Sequence, residues 1–188
     1  MNNILKLGVN LFTICAVAAL LLGVTSKITA PVIEERRIQI NNESRQIVLP
    51  EATEFTKVDT NDYENIDDII SEVYEGKNGL DIIGYAIKTL SKGYGGEIEV
   101  IVGISLDGKV TGINIGEMSE TPGLGAKANE SEFKSQFKDK SASKLSLVKG
   151  KISSENEVSA ISGATITSSA VTNGVNSAIE VFNSYLNK

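Results

Sequence analysis

Near the C-terminus, Ser162-Gly163-Ala164-Thr165-Ile166-Thr167-Ser168 combines hydroxyls with small side chains. Apolar residues at helical spacing follow it: Val171, Val175, Ala178 and Phe182. Hydroxyl residues just ahead of such a series suit a helix N-cap. The backbone N–H groups of a first helical turn point outward and favour an anion, most often phosphate. Gly163 and Ala164 leave a bulky group room to approach the backbone. Residue type and spacing therefore admit two outcomes: a plain capped helix, or a helix start that holds a phosphorylated ligand.

A second stretch is Glu120-Thr121-Pro122-Gly123-Leu124-Gly125-Ala126-Lys127. Pro122 and Gly123 suit the two central positions of a type II turn, and Gly125 permits a further bend. Such a loop is stiff at the proline and open at the glycines. It exposes backbone N–H groups and leaves a flat gap where a ring could lie. The alternative is an ordinary turn ahead of the amphipathic helix suggested by Phe133 and Phe137. A third stretch, Lys92-Gly93-Tyr94-Gly95-Gly96, lets the backbone come close to something or merely starts a strand flexibly.

Composition restricts the chemistry. The 188 residues are enough for one domain with a core and an additional segment. A formal charge of -6 argues against a nucleic-acid partner, which needs a basic face. There is no histidine, so histidine acid–base catalysis and histidine-ligated metals are excluded, and no metal site is expected. Cys15 is the one cysteine, which excludes an internal disulfide and a four-cysteine iron–sulfur site. Redox chemistry would have to come from an organic cofactor.

The elements that must position these stretches follow in chain order. No charged residue lies between Lys6 and Lys27. About 20 helical residues span roughly 30 Å, the hydrocarbon thickness of a bilayer. The run is long for a signal peptide and lacks a small-residue cleavage site, so residues 1–28 are expected to be an uncleaved, single-pass anchor. Cys15 is then a small apolar residue within it. Residues 29–70 are expected to form a stalk and an outer element, with Pro31 in the first turn of a new helix. The acidic run over residues 51–68 carries no chemical motif, and Tyr63 is expected to serve packing.

Residues 71–188 are expected to form the main domain. Strand-like runs at 72–74 and 82–87 flank Asn78-Gly79, a hairpin signal. Runs at 97–104 and 110–115 flank a second one, Asp107-Gly108. Adjacent strands on short turns imply a mostly antiparallel sheet. Ile98, Val100, Val102 and Ile104 share its core face, which leaves Glu97 and Glu99 facing solvent. The lysines at 134, 138, 140 and 144, interleaved with Glu132 and Asp139, read as a solvated face.

With these residues in view, the stretch 158–175 resembles the flavinylation site of a family of FMN-binding domains, those in the G subunits of Rnf complexes and the C subunits of Nqr complexes. That family's pattern is Asp, two variable residues, Ser or Thr, Gly, Ala, Thr. It falls on Ser159-Ala160-Ile161-Ser162-Gly163-Ala164-Thr165, with Ser159 where the family has Asp. Residues 120–125 resemble the family's Glu-Thr-Pro-Gly-Leu-Gly signature, and residues 93–96 its Gly-Tyr-Gly-Gly opening. The resemblance extends over residues 84–182. It implies an α+β chain, with one transmembrane helix followed by an FMN-binding domain of mostly antiparallel sheet and flanking helices.

By the same resemblance, FMN is joined covalently through its phosphate to Thr165. Ser162, Gly163, Ala164 and Thr167 shape the phosphate site, and Glu120, Thr121, Gly123, Leu124 and Gly125 line the ring. A separate flavin transferase would make the bond from FAD, using Mg²⁺ there. The implied setting is an Rnf complex that passes electrons between ferredoxin and NAD⁺ and couples them to Na⁺ or H⁺ transport. This chain would be a carrier, non-catalytic alone, with the other membrane and peripheral subunits and the lipid bilayer as partners. Flanking charges, counted alone, put Lys27, Arg36 and Arg37 in the cytoplasm. The resemblance implies the opposite, with the large domain on the extracytoplasmic side of the cell membrane. Two alternatives stand beside this assignment: a free-standing anchored flavoprotein that serves extracellular acceptors, and an anchored scaffold domain that never carries FMN.

Overall fold

A computed structural model describes residues 2–60, 63 and 66–187. The chain divides into two compact units, Met1–Asn42 and Glu43–Lys188. Helix α1 runs from Asn2 to Val48, so the first unit is helical throughout its described length. Its apolar stretch has a mean hydropathy of 2.3 with none of that window buried, and the helix is long and apolar enough to cross a membrane. Pro31 lies inside the helix. The expected new helix at Pro31 is therefore corrected: the residues on both sides hold one continuous helix, although proline removes a backbone donor.

The second unit is built on a five-stranded antiparallel sheet in the order β1-β2-β3-β4-β5. The strands are β1 (Glu54–Lys57), β2 (Ile70–Asn78), β3 (Asp81–Lys92), β4 (Glu97–Ser105) and β5 (Val110–Met118). The hairpin signals fall where expected: Asn78 pairs with Asp81 across the first turn, and Gly79 and Gly108 have φ of 64° and 73°. Strand β1 lies within the acidic run and forms the sheet edge. Tyr63 stacks on Tyr185 with ring centroids 4.6 Å apart.

After β5 come α2 (Ser131–Lys134) and a 3-10 turn over Ser135–Phe137, which bury Phe133 and Phe137. They take the place of the single amphipathic helix expected there. A short parallel pair, β6 (Ser146–Val148) and β7 (Glu157–Ser159), precedes α3 (Thr165–Val181).

The sheet is covered on both faces. Ile98, Val100, Val102 and Ile104 pack with Val171, Val175 and Ala178 of α3, and with Phe182 just after it, in the main core. On the other face Val48, Leu49 and Ala52 meet Ala86 and Ile101. The expectation for Glu99 is corrected as well. The carboxylate is buried, 6% exposed, and forms an ion pair with Lys88 at 2.9 Å. A buried charge needs a partner, and Lys88 on the neighbouring strand supplies it. Glu97, at the strand end, is exposed.

Candidate functional site

The antiparallel order puts the β3–β4 turn and the end of β5 at the same end of the sheet. Residues 93–96 form that turn, and residues 119–125 continue from β5. The start of α3 meets them there. Together they enclose a cleft of about 510 Å³ lined by Tyr94, Glu120, Thr121, Leu124, Gly125, Gly163, Ala164, Thr165, Ile166 and Thr167. Its size is within the range of small-molecule sites.

Local chemistry explains each wall. The residues after β5 make the expected type II turn: Leu124 N–H donates to Thr121 C=O at 3.1 Å, and Gly123 has φ 79°. The chain then tightens into a 3-10 turn over Gly125–Asn129. Ahead of α3, Ala164 N–H donates to Ile161 C=O at 3.0 Å. Ser168 fixes the same bend from inside the helix: its Oγ accepts from Ile161 N–H at 3.0 Å and donates to Ala164 C=O at 2.9 Å.

The N-cap itself differs from the expectation. Ala164 occupies it, and no side chain caps the helix. The first backbone bond of α3 runs from Ser168 N–H to Ala164 C=O. The N–H groups of Thr165, Ile166 and Thr167 precede that bond and have no partner within the helix. A phosphate suits such a turn by both hydrogen bonding and helix dipole.

The four hydroxyls of this stretch differ in availability. Thr167 is 1% exposed and donates to Glu120 Oε2 at 2.7 Å. Ser168 is fully buried and engaged as described. Ser162 is exposed but lies in a separate hollow with Lys127, Gln136 and Lys151. Thr165 is exposed within the cleft, and no protein hydrogen bond engages its hydroxyl among the described residues.

Of the sequence-selected residues, Glu120, Thr121, Leu124, Gly125, Gly163, Ala164, Thr165 and Thr167 therefore converge on one cleft. Ser162 and Gly123 are outside its lining. Ser162 faces the neighbouring hollow, and Gly123 sets the turn. Tyr94 and Ile166 were not among the selected residues, yet they line the cleft with exposures of 72% and 55%. The glycines around Tyr94 were the available signal for the former. Ile166 resembles any helix residue in sequence. Ser159 lines the neighbouring hollow and not the cleft, its Oγ donating to Gly150 C=O at 2.7 Å. Its backbone N–H donates to Gln136 Oε1, also at 2.7 Å.

No lysine or arginine lines the cleft among the described residues. Its polar groups are backbone N–H, hydroxyls and one carboxylate, while Tyr94, Leu124 and Ile166 supply exposed apolar surface at its edge. A flat ring with a phosphate tail fits this set: apolar surface for the ring, and helix N–H groups beside an available hydroxyl for the phosphate.

The FMN-binding domain family matches residues 93–180. The G subunit of the Na⁺-translocating ferredoxin:NAD⁺ oxidoreductase complex of Acetobacterium woodii is 47% identical over 190 residues, covering 95% of this chain and 91% of its own. The G subunit of the proton-translocating ferredoxin:NAD⁺ oxidoreductase complex of Clostridium ljungdahlii is 38% identical, with the same coverage of 95% and 91%. The G subunit of the ion-translocating oxidoreductase complex of Methanosarcina acetivorans is 34% identical over 95% of this chain and 94% of its own. Among solved structures, the C subunit of the Na⁺-translocating NADH-quinone reductase from Parabacteroides distasonis is similar, with a TM-score of 0.56 at 21% identity, covering 81% of this chain and 95% of that one. Shewanella oneidensis NqrC superposes with a TM-score of 0.52 at 21% identity over 74% and 72%. At that identity the two structures bear on the fold alone.

Proposed function

The chain belongs to the G-subunit family of ion-translocating ferredoxin:NAD⁺ oxidoreductase (Rnf) complexes, and from that premise we propose that it is a membrane-anchored electron carrier holding FMN as a phosphoester on Thr165. The observation that carries the proposal is the contrast among hydroxyls: Thr165 is exposed and unengaged in the cleft, whereas Thr167 and Ser168 are buried and bonded. Bound FMN would accept and pass on one or two electrons.

The chain's own residues hold and shield the cofactor. Thr165 is the tether, and the free N–H groups of the first α3 turn receive the phosphate oxygens. Thr121, Leu124, Gly125, Tyr94 and Ile166 bound the ring space. Ser162 and Gly123 act at one remove, through the bend before α3 and the turn after Thr121. Among the described residues the cleft offers a phosphate no lysine or arginine, so a covalent bond supplies the retention that charge pairing would otherwise give. A separate transferase would form the Thr165 Oγ–phosphorus bond by breaking the phosphoanhydride of FAD, releasing AMP and a proton.

Residues 1–28 serve as the anchor, and the flavin domain lies on the extracytoplasmic side. The other subunits supply ferredoxin and NAD⁺ chemistry, since this sequence has neither an iron–sulfur nor a nucleotide motif. The coupling ion is Na⁺ or H⁺; the two relatives most fully named differ in that word. Ser159 is compatible with the proposal because its side chain is spent on Gly150 and does not line the cleft.

The test is to express the chain with a flavin transferase, purify it from membranes and denature it. A yellow polypeptide that keeps its flavin fluorescence after denaturation is expected. Complete loss of flavin, with the transferase active on a control substrate, would favour the scaffold alternative.

A further inference from the structure

Glu120 sits in the cleft wall, yet its carboxylate is committed to the protein. The residue is 9% exposed. Oε1 accepts the backbone N–H groups of Tyr94 and Gly95 at 2.8 and 3.1 Å. Oε2 accepts the Thr167 hydroxyl at 2.7 Å. One side chain thereby joins the β3–β4 turn, the loop after β5 and the first turn of α3. Glycine makes the space: a Cβ on Gly93 would strike Oε1, and one on Gly125 would strike Oε2 and lie 2.6 Å from Thr167 Oγ1.

A carboxylate suits this arrangement directly. Both its oxygens accept, and all three partners donate. Hydrogen bonds to a charged group are stronger than neutral ones, and a buried donor left without its acceptor is costly. Among the described residues no lysine or arginine lines the cleft, so none there offsets the negative charge. A fixed negative charge beside a redox group disfavours the electron-rich, reduced form.

We propose that Glu120 is a positioning residue that holds the walls of the cleft together and lowers the midpoint potential of the flavin bound there. The potential rests on the FMN assignment above; the bracing does not. Glu120→Gln separates the two effects. Its amide oxygen still accepts from Tyr94 and Gly95, and its NH₂ faces Thr167 Oγ1, which accepts as well as donates. Geometry is retained and the charge is removed. Glu120→Ala removes both.

The experiment compares the full-length, membrane-purified parent with both variants by amide hydrogen exchange and by redox titration of the flavin. Exchange at Tyr94 and Gly95 is expected to rise about tenfold or more in Glu120→Ala and to stay near the parent in Glu120→Gln. The midpoint potential is expected to move in the positive direction in Glu120→Gln. Unchanged exchange in Glu120→Ala overturns the brace, and an unchanged potential in Glu120→Gln overturns the charge effect. If Glu120→Ala does not fold, a large rise in exchange in Glu120→Gln overturns the claim that geometry and charge are separable. Exchange needs no flavin, so a parent chain without covalent flavin contradicts the FMN assignment while the brace is still decided.

Discussion

Lys88 and Glu99 are two opposite charges buried within the domain. Each side chain is 8% exposed, and the pair is 2.9 Å apart. Removing one partner from such a pair strands the other in a poor solvent for charge, at a cost of about 3–5 kcal/mol. Replacing both by apolar groups of similar volume is often near neutral. Lys88→Met is therefore expected to lower domain stability by about 3–5 kcal/mol, and adding Glu99→Leu to recover most of the loss. Urea denaturation of the parent, both single variants and the double variant measures the coupling. Additive losses would mean that the two charges are solvated independently. The period of two in β4 identified the core face of the sheet, with Ile98, Val100, Val102 and Ile104 fully buried. It held no sign that residues 48–52 would cover the opposite face.

Helix α3 carries the start of the cleft and packs it against the sheet. At Gly174 the two approach closely: a Cβ there would lie 2.6 Å from Thr89 Oγ1 and 2.9 Å from Ser91 Oγ. Alanine is a better helix former than glycine by about 1 kcal/mol. Overpacking against two buried hydroxyls costs about 1–3 kcal/mol and outweighs that gain. Gly174→Ala is expected to lower the melting temperature of the domain. A rise would show that helix propensity dominates and that the interface has slack.

The hairpins, α3 and the Thr121–Leu124 turn were legible because each depends on local chemistry: Asn-Gly and Asp-Gly turns, apolar residues at helical spacing, and Pro-Gly. The N-cap was not. Several hydroxyls lay at the right distance, but Ser168 reaches back from inside the helix and leaves Ala164 at the cap. The role of Glu120 was equally hidden. Its partners are 25, 26 and 47 residues away in sequence, and only the folded sheet brings them together. Ser162 illustrates the converse. Three residues before Thr165 in a motif, it opens onto a different hollow because the chain bends at Gly163, whose φ is 79°.

At the scale of the whole molecule, the division after Asn42 sets where the chain can be cut. Ser44 Oγ accepts from Asn114 Nδ2 at 3.1 Å, and the Val48 carbonyl accepts from Thr111 Oγ1. Val48 and Leu49 are buried against the sheet. Residues 43–188 alone are expected to be soluble and to melt cooperatively, since they retain both layers over the sheet. Residues 50–188 are expected to melt several degrees lower, or to aggregate, because Ala86 and Ile101 lose Val48 and Leu49. Equal melting of the two fragments would show that the residues before Pro50 contribute nothing to the domain. The full chain is expected to partition into membranes through its first unit.

The central claim is that Thr165 carries the flavin, and tandem mass spectrometry of the peptide containing residues 158–175 tests it most directly. The chain is produced with a flavin transferase, denatured and digested. The account predicts a mass increase of one FMN less one water, with fragment ions that assign it to Thr165 and its complete loss in Thr165→Ala. An unmodified peptide from a preparation with active transferase would contradict the account. So would the same modification retained in Thr165→Ala, which would move the tether to another residue, Thr167 first among them.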